Sequence, residues 1–301
     1  MDPEIRQPAP LAEGQPQSRK ILAHPDAFLA VRVQRIDLVP PLTCVCAGYE
    51  LGEWRCKQLV SHLIEWLPEF ALTYSEREAI RAHNAVALVG RAARTVYTSP
   101  KYQRRGELGE LLLHVIIRQV FQTVPAISKY YFKDSANDVV KGFDAVHVIA
   151  AENELQLWLG EVKFYDNIAR AVADVVAELK AHTERDYLRG EFAAITNKID
   201  GEWPHVERLK KLLHRNTPLQ EIFDSVCIPV LLTYDSPTIS QHSDVTEAFK
   251  SAFEQEVLGH RQSFAGKALP SLKIHLFLFP LKSKADLINQ FDEKLKACQA
   301  M

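Results

Sequence analysis

The chain has 301 residues, 47% of them hydrophobic and 25% charged, with 38 acidic residues against 36 lysines and arginines. The resulting net charge of −2 gives no support to binding of nucleic acid through overall charge, so any such contact must come from a local basic patch. No apolar run approaches the length of a membrane span and no apolar signal-peptide core opens the chain, so we expect a cytoplasmic protein with no membrane partner.

The first third of the chain predicts a tail followed by a mainly helical lobe. Residues 1–22 are rich in Pro, Gln, Glu and Ala, a composition that buries too little apolar surface to order itself. A strand is predicted at 27–33 and an amphipathic helix at 54–67, which Pro68 ends. Ser75-x-x-Glu78 matches a capping box and predicts a further helix that runs to about Arg94. We therefore divide the chain into a disordered tail, an N-terminal lobe and a C-terminal domain, at residues 1–22, 23–95 and 96–301.

A helix with two stripes is predicted just after residue 105. Its apolar residues form a core stripe, and polar residues spaced three and four apart form a second stripe: Glu107, Glu110, His114 and Arg118. The polar stripe either faces solvent or directs a glutamate toward the mouth of a sheet. Acidic residues in a first helical turn also favour the helix dipole, which would explain both glutamates without any function.

Two β-patterned segments in the middle of the chain predict a hairpin. The second segment ends in Glu161-Val162-Lys163, where strand alternation puts the glutamate and the lysine on one face. A four-residue loop at 151–154 places Asp144, which opens the first segment, directly opposite Glu161. Opposed Cβ atoms lie roughly 4.5–5.5 Å apart, so two carboxylates and an ammonium group meet on one face.

This cluster has a chemical and an ordinary interpretation. Two carboxylates at that distance repel unless a metal or protons compensate, and a hard divalent cation beside a lysine suits phosphodiester cleavage. An acid followed two residues later by lysine also recurs at Glu178-Leu179-Lys180 and Asp292-Glu293-Lys294. Both copies fall in predicted surface helices, where such residues are typically solvated. On the hairpin alone, a metal site and an exposed sheet edge both remain open.

The last 140 residues alternate helices with strands. Helices are predicted at about 168–182, 206–214 and 285–296, a short strand at 192–196, and buried strands at 226–233 and 274–279. The order of elements predicts an α/β fold with a mixed sheet flanked by helices.

Three strings resemble the core of the PD-(D/E)XK nuclease superfamily. They are Gly106-x-x-x-Glu110 on a helix, Gly142-Phe143-Asp144 opening a strand, and Gly160-Glu161-Val162-Lys163. Phe143 stands where the superfamily's name has proline. The fuller strings, Tyr102 to His114 and Lys141 to His147 with the helix at Trp54-Arg55, resemble the HamA family, the nuclease subunits of the Hachiman anti-phage defence system.

The resemblance implies a restriction-endonuclease-like core that hydrolyses DNA with Mg2+ (or Mn2+). Asp144, Glu161 and the backbone carbonyl of Val162 would bind the metal. Glu110 would supply a helix carboxylate, with Glu107 as the alternative. Lys163 would orient the attacking water or stabilise charge in the transition state.

The resemblance also implies partners. DNA would approach over basic residues whose alternative role is a solvated surface: Lys101, Arg104, Arg105, Lys129, Lys133 and Lys141. A superfamily 2 helicase would hold the nuclease inactive until it engages DNA, and the lobe at 23–95 is the predicted docking surface. The alternative function is a catalytically inactive DNA-binding or interaction subunit of a defence complex.

Overall fold

The computed structural model describes residues 24–96, 106–128, 142–152 and 154–301. Its strands are β1 (Ala30–Arg35), β2 (Leu42–Cys46), β3 (Tyr49–Glu50), β4 (Glu53–Trp54), β5 (Val124–Pro125), β6 (Ala145–Ala150), β7 (Leu155–Phe164), β8 (Val226–Asp235) and β9 (Lys273–Leu281). Seven of them form one sheet in the order β1-β2-β9-β8-β7-β6-β5, and β3 pairs with β4 in a separate hairpin.

The helices before the central hairpin are α1 (Cys56–Glu65), α2 (Leu67–Ala71), α3 (Tyr74–Glu78), α4 (Ala85–Val96) and α5 (Glu107–Phe121). Those after it are α6 (Ile168–His182), α7 (Arg185–Lys198), α8 (Val206–Leu212), α9 (Leu219–Asp224), α10 (Pro237–Gln241), α11 (Glu247–Ala265) and α12 (Lys284–Gln299). Within the described ranges, none of these helices is both long and apolar enough to cross a membrane.

The sheet is mixed, with a parallel centre and antiparallel edges. Strands β2, β9, β8 and β7 run parallel, while β1, β6 and β5 pair antiparallel with their neighbours. The two central strands, β8 and β9, are buried along almost their whole length, as their continuous apolar sequences predict. The predicted α/β fold, a mixed sheet flanked by helices, is confirmed.

The N-terminal region contributes strands to this same sheet. Leu42 and Cys44 of β2 pair with Leu276 and Leu278 of β9, and β1 continues beyond β2. The residues of the predicted lobe at 23–95 therefore share the central sheet with the C-terminal elements. The predicted tail at 1–22 lies outside the described residues.

Three local predictions are wrong for identifiable reasons. Pro68 does not end the first helix, because α1 ends at Glu65 and Pro68 lies in the first turn of α2, where a missing backbone N–H is tolerated. The capping box is formed by Thr73 and Glu76 rather than by Ser75 and Glu78, and it opens the short α3 only. The segment at 192–196 lies inside α7 instead of forming a strand. Its buried residues Leu188, Phe192 and Ile195 are spaced four and three apart, so the segment follows the helical period within a longer window.

The register of the central hairpin agrees with its predicted turn. Pairing runs from Ala150 opposite Leu155 to Ala145 opposite Gly160, and the amide of Ala151 donates to the carbonyl of Glu154 over 3.0 Å. A four-residue loop thus sets the register of every later pair, including the end of the hairpin where the acidic residues lie.

Candidate metal centre

The open end of the β6–β7 hairpin brings Asp144 beside Glu161-Val162-Lys163. The amide of Asp144 donates to the carbonyl of Gly160 over 2.8 Å, which continues the ladder one residue past β6. The Asp144 carboxylate then accepts a 2.8 Å hydrogen bond from the amide of Val162. This bond fixes the aspartate at the end of the hairpin, in the position that the register predicted.

Glu161 is the most deeply buried acid of this group, with 1% of its surface exposed. Burial raises the pKa of Glu161 to about 8, the charge of Lys163 opposes this rise, and the charge of Glu191 adds to it. A carboxylate in such a place requires a proton or a cation to offset the loss of hydration.

Helix α6 supplies partners to Glu161 and Lys163 of β7. Lys163 forms an ion pair with Glu178, and Glu161 lies 2.5 Å from Nδ1 of His182. Glu178 and His182 are one helical turn apart, so both reach the same sheet face from α6. The prediction of a solvated face for Glu178 is therefore wrong, because its carboxylate turns toward the sheet and pairs with Lys163.

Helix α7 completes the surroundings of the imidazole. The ring of Tyr187 stacks on His182 with centroids 4.4 Å apart and planes at 9°, and Phe143 contacts the same imidazole edge-on. Burial lowers the pKa of His182, which favours a neutral ring with a free nitrogen lone pair.

Glu191 is a further buried acid that sequence reasoning missed. It is 7% exposed, it accepts a hydrogen bond from the backbone of Phe143, and burial raises its pKa. A Cβ atom at Gly142 would lie 2.8 Å from Glu191 Oε2, so the absence of a side chain there lets the two segments meet. Within the described part of the chain, this Oε2 has no hydrogen-bond partner.

Three side chains of this site have the arrangement of a metal-ligand set. One potential ligand atom from each of Glu161, Glu178 and His182 lies within 4.8 Å of the others. The signal for the helical pair was present in the sequence as a glutamate and a histidine four residues apart. It was not recognised because the spacing alone does not show which face of α6 meets the sheet.

The predicted helix carboxylates, Glu107 and Glu110, are both buried at the start of α5. Helix α5 packs on the opposite sheet face, since a Cβ atom at Gly109 would lie 2.7 Å from Phe164 and 3.2 Å from Val162. Glu161 and Lys163 face α6 instead. The role of either glutamate as a ligand stays a prediction.

The six basic residues predicted to contact DNA lie outside the described residues: Lys101, Arg104, Arg105, Lys129, Lys133 and Lys141.

A separate polar network lies on the α5 side of the sheet. His114 and His147 lie 3.1 Å apart, and Arg118 and Arg77 form ion pairs with Glu69. His147 thus occupies the face away from Asp144, as strand alternation predicts.

The fold and this site define an α/β protein with a partly buried cluster of carboxylate, lysine and imidazole groups at the open end of a hairpin. The family model of HamA matches residues 25–295, and the chain belongs to the HamA family, a component of the Hachiman anti-phage defence system. A search of curated proteins finds no match.

Proposed function

We propose that this protein is the nuclease effector of its defence system, a metal-dependent DNA endonuclease. The observation that carries the proposal is the convergence of Asp144, Glu161 and Lys163 at the end of one hairpin. Two carboxylates beside an ammonium group can bind a divalent cation and stabilise a phosphate whose charge grows during cleavage.

The residues present fit Mg2+. Oxygen donors come from Asp144, Glu161 and the carbonyl of Val162, and hard cations prefer oxygen ligands. The buried Glu161 and Oε2 of Glu191, which has no hydrogen-bond partner among the described residues, favour added positive charge at this place. When bound, the metal would lower the pKa of a water molecule and offset charge on the scissile phosphate. Lys163 would leave its ion pair with Glu178 and bind the phosphate or the attacking water instead.

Supercoiled plasmid incubated with the purified protein and Mg2+ tests the proposal. We expect nicking and linearisation that EDTA abolishes, and we expect the double variant Glu161→Ala with Lys163→Ala to be inactive. A matched control removes an exposed ion pair of α11, through Glu247→Ala with Lys250→Ala. The proposal is wrong if the wild-type protein binds metal without cutting, which would support the catalytically inactive alternative, or if the double variant cuts at the wild-type rate.

The proposed activity requires restraint, because a free endonuclease would cut the host chromosome. The chain carries no Walker A motif, so it contains no recognisable motor of its own. A superfamily 2 helicase of the same defence system would bind the nuclease, hold it inactive and release it on engaging phage or damaged DNA. Residues 23–95 are the proposed docking region, and specificity would then lie in the helicase trigger.

A further inference from the structure

We infer that Glu178 and His182 of α6, together with Glu161, form a second cation position that takes a transition metal such as Mn2+. This inference rests on the proposed function, because Glu161 also belongs to the proposed Mg2+ site. It adds two ligands from outside the β6–β7 hairpin and a nitrogen donor that the first position lacks.

Geometry is the first support. The three potential ligand atoms lie within 4.8 Å of one another, close enough for one ion to contact all of them after small side-chain movements. Two of the side chains come from one helix at i and i+4, a spacing that holds them on one face. The third comes from the strand that this face covers.

The orientation of the imidazole is the second support. His182 is held between the stacked ring of Tyr187 and the edge of Phe143, with Nδ1 directed at Glu161. Metal-ligating histidines depend on neighbours that fix the ring in this way, so the ligand would need little ordering when the ion binds.

The third support is a group of four acids at this place, of which Glu161 and Glu191 are buried. The charges of Asp144 and Glu191 act on His182, the charge of Glu191 also acts on Glu161, and Glu178 forms an ion pair with Lys163. Glu191 is more than nine-tenths buried, its Oε2 lacks a hydrogen-bond partner among the described residues, and its charge acts on both Glu161 and His182. A second divalent cation would offset this charge.

The donor set decides which metal fits each position. Asp144, Glu161 and the carbonyl of Val162 offer only oxygen, which suits Mg2+. The position beside α6 offers an imidazole nitrogen with two carboxylates, a set that favours transition metals over Mg2+. The two positions would therefore differ in metal preference, with Glu161 common to both.

Paramagnetic resonance of Mn2+ bound to the full chain tests the inference with no DNA present. With excess Mg2+ added, we expect the wild-type protein to keep one Mn2+ ion whose spectrum shows coupling to a nitrogen nucleus. The variant His182→Gln should lose this coupling. Both His182→Gln and Glu178→Gln should weaken Mn2+ binding by roughly tenfold or more. Matched controls are His242→Gln and Glu247→Gln, which change the same residue types elsewhere and should leave binding unchanged.

Thermal unfolding and near-ultraviolet circular dichroism show whether each variant keeps its fold. If His182→Gln does not keep its fold, the Mn2+ affinity of Glu178→Gln tests the inference instead, since the Glu178 side chain is 34% exposed and its replacement should be tolerated. Nitrogen coupling that persists in folded His182→Gln, or unchanged Mn2+ affinity in folded Glu178→Gln, overturns the inference. Nitrogen-coupled Mn2+ in a protein that never cuts plasmid supports this site and contradicts the proposed nuclease function. Plasmid cleavage without nitrogen coupling supports the proposed nuclease function and contradicts this site.

Discussion

At the scale of single residues, the buried carboxyl group of Glu161 is influenced by a lysine and a histidine next to it. This group is almost completely buried, yet Lys163 and His182 both approach it. Neither partner is committed to Glu161 alone, because Lys163 also pairs with Glu178 and the His182 ring packs on Tyr187. Under the proposed function, these contacts would rearrange on binding of a cation or a phosphate.

Asp144→Asn separates the charge of the aspartate from its structural role. Asparagine keeps an oxygen that can accept the hydrogen bond from Val162, so we expect the fold to survive. It loses the negative charge that a hard cation requires, so Mg2+-dependent cleavage should fall by at least about 100-fold. Plasmid cleavage rates measure the effect, with Asp37→Asn as an exposed control. Cleavage within threefold of wild type would show that Asp144 is not a metal ligand.

At the scale of elements, the site depends on how closely helices approach β7. Helix α6 covers the face of Glu161, and α5 packs on the other face through Gly109. Helix α5 lies close to β7, because a Cβ atom at Gly109 would meet the side chains of Phe164 and Val162. These two residues alternate along β7 with Glu161 and Lys163. The position of α5 is therefore coupled to the conformation of the strand end.

Gly109→Ala should lower the free energy of unfolding by about 1–3 kcal/mol. The new methyl group would lie 2.7 Å from the Cβ of Phe164, an atom next to the backbone that cannot rotate away. Urea denaturation measures the change. Gly259→Ala in the middle of α11 is the matched control, since a Cβ there meets nothing within 4 Å. The control should raise stability by up to about 1 kcal/mol. Equal effects of the two substitutions would contradict the close packing of α5.

The sheet also contains a histidine that should make the protein sensitive to acid. His275 of β9 is 7% exposed and contacts Thr43 of β2, and burial lowers its pKa to about 4. In the unfolded chain a histidine has a pKa near 6.5, so between about pH 4 and 6.5 the unfolded state binds the extra proton. The stability that the neutral ring provides is therefore complete above pH 6.5 and decreases as the pH falls through this window.

Replacing His275 by glutamine should remove up to about 1.4 kcal/mol per pH unit from the acid dependence of unfolding. Glutamine can still hydrogen-bond to Thr43 but does not titrate. Denaturation curves at several values between pH 7 and 4.5 provide the measurement, and His83→Gln at an exposed position is the control. If the two variants show the same pH slope, His275 does not titrate as described.

The register of the hairpin could be predicted from the sequence, but the contacts of α6 with β7 could not. Strand alternation and the loop at 151–154 determine which residues share a face, so Asp144 and Glu161 could be brought together from local information. The orientation of α6 on the sheet is set by burial of its apolar stripe, which is a tertiary effect. Glu178 and His182 flank that stripe, so their approach to β7 could not be deduced from helical spacing alone.

At the scale of the whole molecule, exposed apolar residues concentrate in the N-terminal region. Among the described residues, the large hydrophobic side chains that are exposed outside the C-terminal Met301 all fall within the proposed docking region: Val31, Ile36, Val39, Leu51 and Val86. Singly exposed apolar residues are common on protein surfaces, whereas a contiguous apolar patch marks a surface that binds a partner. These five residues are therefore the positions at which the proposed docking at residues 23–95 can be tested.

Leu51 is the most informative of these residues. It is 99% exposed at the tip of the β3–β4 hairpin, and both residues of its turn, Leu51 and Gly52, have positive φ, at 50° and 80°. Such turns favour asparagine before glycine, so leucine is unfavourable there both for its backbone and for its exposure. The hairpin is held in place by a 2.8 Å hydrogen bond from Tyr49 to the carbonyl of Ile239 and by the buried ring of Trp54. The leucine is thus held out toward solvent by an anchored turn.

Leu51→Asn should therefore separate stability from partner binding. We expect the free energy of unfolding to stay constant or rise by up to about 1 kcal/mol, because asparagine tolerates positive φ. Binding to the co-expressed helicase should weaken by roughly tenfold or more, since burying a leucine contributes about 1.5–3 kcal/mol. Size-exclusion co-elution and titration of the purified subunits measure the effect, with Met301→Gln as the exposed apolar control outside the region. If Leu51→Asn binds with wild-type affinity, the β3–β4 hairpin is not part of the docking surface. If Leu51→Asn is destabilised as well as weaker in binding, leucine is not the unfavourable residue in this turn.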